Sequence, residues 1–269
     1  YPEVLIKNLN KENLSFLYKF LLKVFNSAYR YSSKVVSLGE KMTYQLLAKG
    51  ILLNNIVTIP NWATGDLRVY RNTKNKLEKE WGVKKGIKIL YSGNMGIAHE
   101  FETIFEGVKL SNLSPEELQT IFVGFGSRLI EVKELSKLLP YESSILIKSY
   151  VKPSEMPLTM SLASMGLVTL KENFSGLVFP SKFAGYLARG IAILYIGPDS
   201  DISDLIIKYK VGFCFKNGES DKLSNFLINL KNDENILKIY GNNAKNFYES
   251  NMSSKIGLNK YSELITEFD

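Results

Sequence analysis

Three loops carry the residues whose type and spacing could do chemistry in this chain. The first, Tyr91-Ser92-Gly93-Asn94-Met95-Gly96-Ile97-Ala98-His99-Glu100, joins a strand-like run to a helical one. Gly93 and Gly96 would let backbone approach an anion closely, and the amino end of the next helix would turn unpaired N–H groups toward it. The same pattern also serves simply to make a turn. The second, Val123-Gly124-Phe125-Gly126-Ser127-Arg128, repeats the design, with Gly124 and Gly126 at the turn. It reads equally as a tight left-handed turn with Ser127 as a helix N-cap, while Arg128 could reach an anion. In the third, Ser175-Gly176-Leu177-Val178-Phe179-Pro180-Ser181-Lys182, Ser181 is placed to cap a helix whose first turn holds Lys182. An anion there would meet a positive helix end and an ammonium together, which suits a diphosphate.

Composition narrows the other chemistries. His99 is the sole histidine and Cys214 the sole cysteine, so paired-histidine metal sites, thiolate clusters and internal disulfides are excluded, and serine-hydrolase machinery would rest on one ring. One cysteine suits a reducing compartment, so the expected location is cytoplasmic. Lys and Arg number 34 against 27 acidic residues, a net charge of +7 that favours phosphates or an anionic membrane surface. Nucleic acid is the weaker expectation, because the basic residues are spread rather than gathered into an aromatic-rich stripe. The chain begins Tyr1-Pro2-Glu3-Val4, without an initiator methionine or a signal pattern, and is read as a piece of something longer.

The loops need a scaffold, and the periodicity supplies one. A long helix is predicted over Asn13–Tyr31, from Leu14, Leu17, Leu21, Phe25 and Ala28, with Lys19, Lys23 and Arg30 interleaved. A strand at Lys34–Leu38, a helix over Gly39–Lys49 and a strand at Ile56–Ile59 make one β-α-β unit, and Pro60 to Asp66 reads as a boundary. After a helix at Thr73–Trp81, strands are expected at Ile87–Tyr91, Thr120–Val123, Ser144–Ile147, Met165–Leu170, Ala192–Tyr195 and Val211–Phe215. Helices fall between most of them, at Phe101–Val108, Leu129–Leu138, Ser154–Ala163, Lys182–Ala188 and Ile202–Lys208. Three more, Asp221–Leu230, Glu234–Glu249 and Ser254–Glu267, close the chain. The alternation predicts an α/β fold with a mainly parallel sheet covered on both faces, its ligand loops at the carboxyl ends of the strands.

In order along the chain, Tyr1-Pro2-Glu3, Val57-Thr58-Ile59-Pro60-Asn61-Trp62, Leu90 to Gly96, Val123-Gly124-Phe125-Gly126 and Pro180-Ser181-Lys182 through Gly190 resemble the retaining GT-B glycosyltransferases of family 4, especially bacterial enzymes of surface polysaccharides and lipid-linked oligosaccharides. The resemblance implies a GT-B fold with a complete Rossmann-like donor domain over 61–249. Residues 1–60 would be the end of an acceptor domain whose beginning is absent, and residues 250–269 a helix returning to it. It implies a nucleotide-sugar donor, a UDP-sugar first, a glycan or polyprenyl-diphosphate-linked acceptor, retention of configuration, and no cofactor or metal. Peripheral contact with the inner leaflet of an anionic membrane goes with such acceptors.

On this resemblance Gly93, Asn94, Gly96, His99 and Lys182 face the phosphates, His99 and Lys182 being the catalytic pair, with His99 donating to phosphate and gaining charge beside a dianion. Gly124, Gly126, Ser181 and Gly185 complete the donor site, and Ser175, Gly176, Leu177 and Val178 hold ribose and sugar through main chain. The chain departs from the family where an Arg and a Lys usually follow the first donor-domain strand, here Asn94 and His99. The two family glutamates fall near Leu177 and at Gly185, with Glu172 only loosely matched. A UDP-sugar epimerase of the same fold and a catalytically silent nucleotide-sugar-binding module are the alternatives.

Overall fold

The computed structural model describes residues 15–68 and 75–267. The predicted helix starts at Asn13 and Thr73, and the Tyr1-Pro2-Glu3 match, lie outside those residues. Helix α1 spans Ser15–Tyr31, followed by β1 (Val35–Ser37), α2 (Glu40–Ala48) and β2 (Ile56–Thr58). Strands β1 and β2 pair in parallel from Val35 with Ile56 to Ser37 with Thr58, the β-α-β unit expected from the sequence. Ser37 joins it internally, its hydroxyl lying 2.7 Å from that of Thr43 and 2.8 Å from that of Thr58.

The larger body holds α3 (Lys76–Trp81), β3 (Ile87–Ser92), α4 (Glu102–Ser111), β4 (Leu118–Val123), α5 (Leu129–Ser136), β5 (Ile145–Lys148), α6 (Met156–Met160), β6 (Met165–Thr169), α7 (Lys182–Ala188), β7 (Ala192–Ile196), α8 (Asp201–Tyr209) and β8 (Gly212–Phe215), then α9 (Ser220–Leu230), α10 (Asn235–Asn251) and α11 (Ser254–Thr266). Its six strands run in the order β5-β4-β3-β6-β7-β8, every pairing parallel. The central strands are apolar on both sides because both faces are covered: Phe105, Phe122 and Leu223 pack on one, Phe183, Leu187 and Phe247 on the other. The helix expected over Ser154–Ala163 is shorter, a 3-10 turn at Pro153–Glu155 and then α6. Pro157 supplies no N–H there, and the Ser161 hydroxyl donates back to Leu158 O at 2.7 Å where the helix stops.

The chain reverses direction across the sheet between β3 and β6. These two pair only at Ile89 with Met165 and Leu90 with Gly166, and then diverge. The hydroxyl of buried Tyr186 fills the gap, donating to Leu90 O at 2.7 Å and accepting from Ser92 N at 2.9 Å. It thereby satisfies strand groups that a ladder would otherwise pair. Gly166 is glycine because the Tyr186 ring lies where a β-carbon would stand. A parallel sheet opens a crevice at such a reversal, outside the carboxyl ends of its strands.

The two sheets meet through specific contacts. The Asp201 carboxylate accepts from Lys41 N at 2.9 Å, at the amino end of α2. Helix α11 lies on the smaller unit, where the Lys260 ammonium donates to Thr58 O at 3.4 Å and Lys34 pairs with Glu267 at 2.8 Å, and Tyr261 meets the Trp62 ring of the connecting segment edge-on at 6.2 Å. Among the described residues, no helix is long and apolar enough to cross a membrane.

Candidate functional site

The crevice between β3 and β6 is a cleft of about 540 Å³. Its walls are the loop after β3, the segment leading into α7, one face of α7, and residues 62–64. The sequence-selected residues Gly93, Asn94, His99, Val178, Ser181, Lys182 and Gly185 line it together. Gly96, Gly124, Gly126, Ser175, Gly176 and Leu177 do not.

Lys182 sits at its centre. Its ammonium donates to Tyr91 Oη at 3.1 Å and approaches His99 Nε2 at 3.3 Å, and it lies over the Tyr91 ring, 4.3 Å from the centroid. Tyr91 Oη passes its own proton to Asn94 O at 2.6 Å, so it can only accept from the lysine. The Lys182 stem runs along Gly93, whose φ is +129°, and a β-carbon at Gly93 would stand 3.5 Å from Lys182 Cε. Two of the three ammonium hydrogens are thus spoken for by neutral groups, and among the described residues none lining the cleft is a carboxylate. Burial without a counter-charge pulls the Lys182 pKa from 10.5 down to about 7.

His99 has a different role from the one expected. Its Nδ1 lies 2.9 Å from Thr169 O, a carbonyl that only accepts, so the proton is on Nδ1 and Nε2 presents a lone pair to Lys182. Burial, and then the charge of Lys182, push the ring from 6.5 down to about 3. A neutral ring in this tautomer does not donate from Nε2 to a phosphate; it holds the lysine in place.

Helix ends contribute less than the sequence suggested. Ser181 makes no side-chain cap, because its backbone is already helical, with φ −62° and ψ −25°. Helix α7 has only seven residues, so its dipole is small beside the Lys182 charge. The amino end of α4 is already occupied: Glu100 Oε1 accepts from Thr103 N at 2.7 Å and Glu102 Oε2 from Phe101 N at 3.0 Å. Burial raises the Glu100 carboxyl to about 7.

The second glycine loop is a splint for the first. Met95 N donates to Phe125 O at 2.7 Å, Gly93 N to Val123 O at 2.8 Å, and Arg128 N to Met95 O at 3.0 Å. Gly124 and Gly126 have φ of +144° and +152°, and β-carbons there would strike Gly93 O and Met95 O. Ser127 does not cap α5; the N-cap position belongs to Arg128. That guanidinium is buried, donating to His99 O and pairing with Glu131 and, at 2.9 Å, with Glu102, so it is not available to a ligand.

The loop before α7 turns elsewhere. The Ser175 hydroxyl donates to Asp199 O at 2.9 Å, and a β-carbon at Gly176, φ +71°, would stand 3.2 Å from Lys41 O of α2. Leu177 lines a separate, mainly apolar cavity of about 460 Å³ against β1 and α2. Sequence reasoning missed Tyr91, Thr169, Tyr186 and Arg189. Arg189 lines the cleft, on the face of α7 that also carries Lys182 and Gly185; that i, i+3, i+7 spacing was the signal available. Among the described residues, no group of three or more His, Cys, Asp or Glu is arranged to hold a metal ion.

No protein-family model and no curated protein matches the sequence. Solved structures do match in fold. Anabaena HepE in complex with UDP-glucose superposes with a TM-score of 0.78 at 15% identity, covering 91% of this chain and 67% of that one. Sucrose-phosphate synthase from Thermosynechococcus elongatus gives 0.77 at 11%, covering 100% and 66%. WaaG, a glycosyltransferase involved in lipopolysaccharide biosynthesis, gives 0.66 at 14%, covering 87% and 62%. The chain therefore spans about two thirds of the length of these structures. At such identities the likeness shows the fold, an α/β architecture of the GT-B type.

Proposed function

We propose that this chain is the nucleotide-sugar-binding part of a glycosyltransferase, which moves a sugar from a nucleoside diphosphate, UDP first, to a glycan or polyprenyl-linked acceptor. The observation that carries the reading is Lys182, a half-buried ammonium with no counter-charge among the described residues, held by Tyr91 and His99 at the strand-reversal crevice. A diphosphate would supply the missing anion. As the anomeric C–O bond breaks, negative charge grows on the leaving oxygen, and a cation fixed beforehand stabilises that charge without reorganising. HepE with UDP-glucose bound, on the same fold, supports the ligand, and WaaG supports surface polysaccharide as the setting.

Retention of configuration belongs to the proposal as well. It would proceed by front-face attack without a protein nucleophile, and the anomeric configuration of the transferred sugar tests it. The division into 1–60, 61–249 and 250–269 is likewise proposed, supported by the contacts of the C-terminal segment with the β1–β2 unit, Lys34 with Glu267 and Lys260 with Thr58 O. Helix α1 exposes Phe16, Phe20, Lys19 and Lys23, which supports peripheral contact with an anionic bilayer at the inner leaflet.

Titration calorimetry with UDP tests the reading. Binding is expected to the wild type and not to Lys182→Met, and a folded wild type that ignores UDP would remove the proposal. With UDP-sugar and acceptor, transfer, epimerised donor or no turnover by the full-length enzyme separates the transferase from the epimerase and from the silent module.

A further inference from the structure

A second cavity, of about 380 Å³, lies apart from the donor cleft, where the smaller unit meets the larger one. Both passages of the chain between the two units border it, at Pro60 and at Met252. It is pinned on two sides. On one, Asp201 of α8 accepts from Lys41 N at 2.9 Å, an approach that needs glycine at position 39, where a β-carbon would stand 2.5 Å from the Asp201 carboxyl carbon. On the other, the Lys260 ammonium of α11 donates to Thr58 O at 3.4 Å. The lining includes an apolar wall: Phe179, Phe247 and Met252 are buried, and the Tyr209 ring packs on Phe247 with centroids 4.3 Å apart.

The charged residues that line it divide by their partners. Its carboxylates are engaged: Asp201 by Lys41 N, Asp204 by the Lys41 ammonium at 3.4 Å, and Glu40 by the Tyr44 hydroxyl at 2.9 Å. Its two lysines are not. Among the described residues neither meets a carboxylate; Lys260 has the Thr58 carbonyl, and Lys208 has the ring of its neighbour Tyr209, 5.2 Å from the centroid. An apolar wall beside two unopposed ammoniums suits a molecule with an apolar body and an anionic head, because the body sheds water on burial while the head finds a counter-charge. We propose that this cavity binds an amphipathic anion, its body against Phe179, Phe247 and Met252 and its head at Lys208 and Lys260. Residues of both units line the cavity, so the ligand bridges them where the chain crosses.

Methionine methyl resonances test this site by site, since Met252 lines this cavity, Met156 and Met160 the donor cleft, and Met42 the apolar cavity against β1. Decanoate is expected to shift the Met252 signal saturably and leave those of Met156, Met160 and Met42 in place. Octanoate, two methylenes shorter, should bind about tenfold more weakly, at roughly fourfold per buried methylene. Decanol, which keeps the body and lacks the charge, should bind about three- to tenfold more weakly than decanoate, and acetate should not shift Met252 at the same concentration. The double variant Lys208→Gln, Lys260→Gln should bind decanoate and decanol alike. Leu205→Trp, which fills the cavity from α8, should abolish the shift. Movement of Met42 in place of Met252, movement of all the methionines together, or decanoate bound as tightly by the double variant as by the wild type overturns the proposal. None of these readouts involves a nucleotide, so failure here leaves the diphosphate reading of Lys182 standing.

Discussion

Binding a nucleoside diphosphate should load a proton onto Lys182. In the free protein its pKa is lowered from 10.5 to about 7 by burial, a penalty on the ammonium relative to water of roughly 4 to 5 kcal/mol. At pH 8 about nine lysines in ten at this position are neutral, from the usual titration curve. A bound diphosphate restores the ammonium, so UDP binding at pH 8 should take up about 0.9 proton. Calorimetry in two buffers of different ionisation enthalpy reads that number directly. Lys182→Arg keeps a permanent charge and should bind with uptake near zero. Affinity of the wild type should fall by about tenfold per pH unit above pH 7, until the bound-state pKa is reached. The sign for folding is the opposite of a gained ion pair. The unfolded chain holds the proton up to 10.5 and the folded chain only to about 7, so stability lost to burying the charge is recovered as pH rises between those values. UDP binding at pH 8 with no proton taken up would show that the lysine is already charged in the free protein, and the electrostatic account of the site would fail.

Two further outcomes follow from the scaffold. Gly126→Ala forces a side chain into φ +152° against Met95 O, and should cost about 2 to 4 kcal/mol in urea unfolding; a change within about 0.5 kcal/mol would mean that the two loops are not locked together. Tyr186→Phe strips the hydroxyl that serves Leu90 O and Ser92 N in the β3–β6 gap, and should destabilise by roughly 1 to 3 kcal/mol, read by the same unfolding curves.

The sequence by itself determined the architecture, because two-sided apolar runs such as Ile87–Tyr91 and Ala192–Tyr195, separated by helical periods, have few arrangements other than a covered parallel sheet. It also picked out Lys182, Gly93 and His99, since a strand, a glycine turn and a helix start are local patterns. Only the tertiary structure decided what those residues do. His99 was expected to donate to phosphate, but the partner that fixes its tautomer, Thr169 O, lies 70 positions away in sequence. Gly124 and Gly126 looked like ligand contacts, yet their φ values answer to the backbone of the 93–95 loop. Arg128 and Arg189 are both arginines beside glycine-containing segments; which one is consumed by Glu102 and Glu131 and which one lines the cleft depends on how α4, α5 and α7 come together. Periodicity and turn chemistry are properties of neighbours in the chain, whereas a proton's position and a cation's counter-charge depend on neighbours in space.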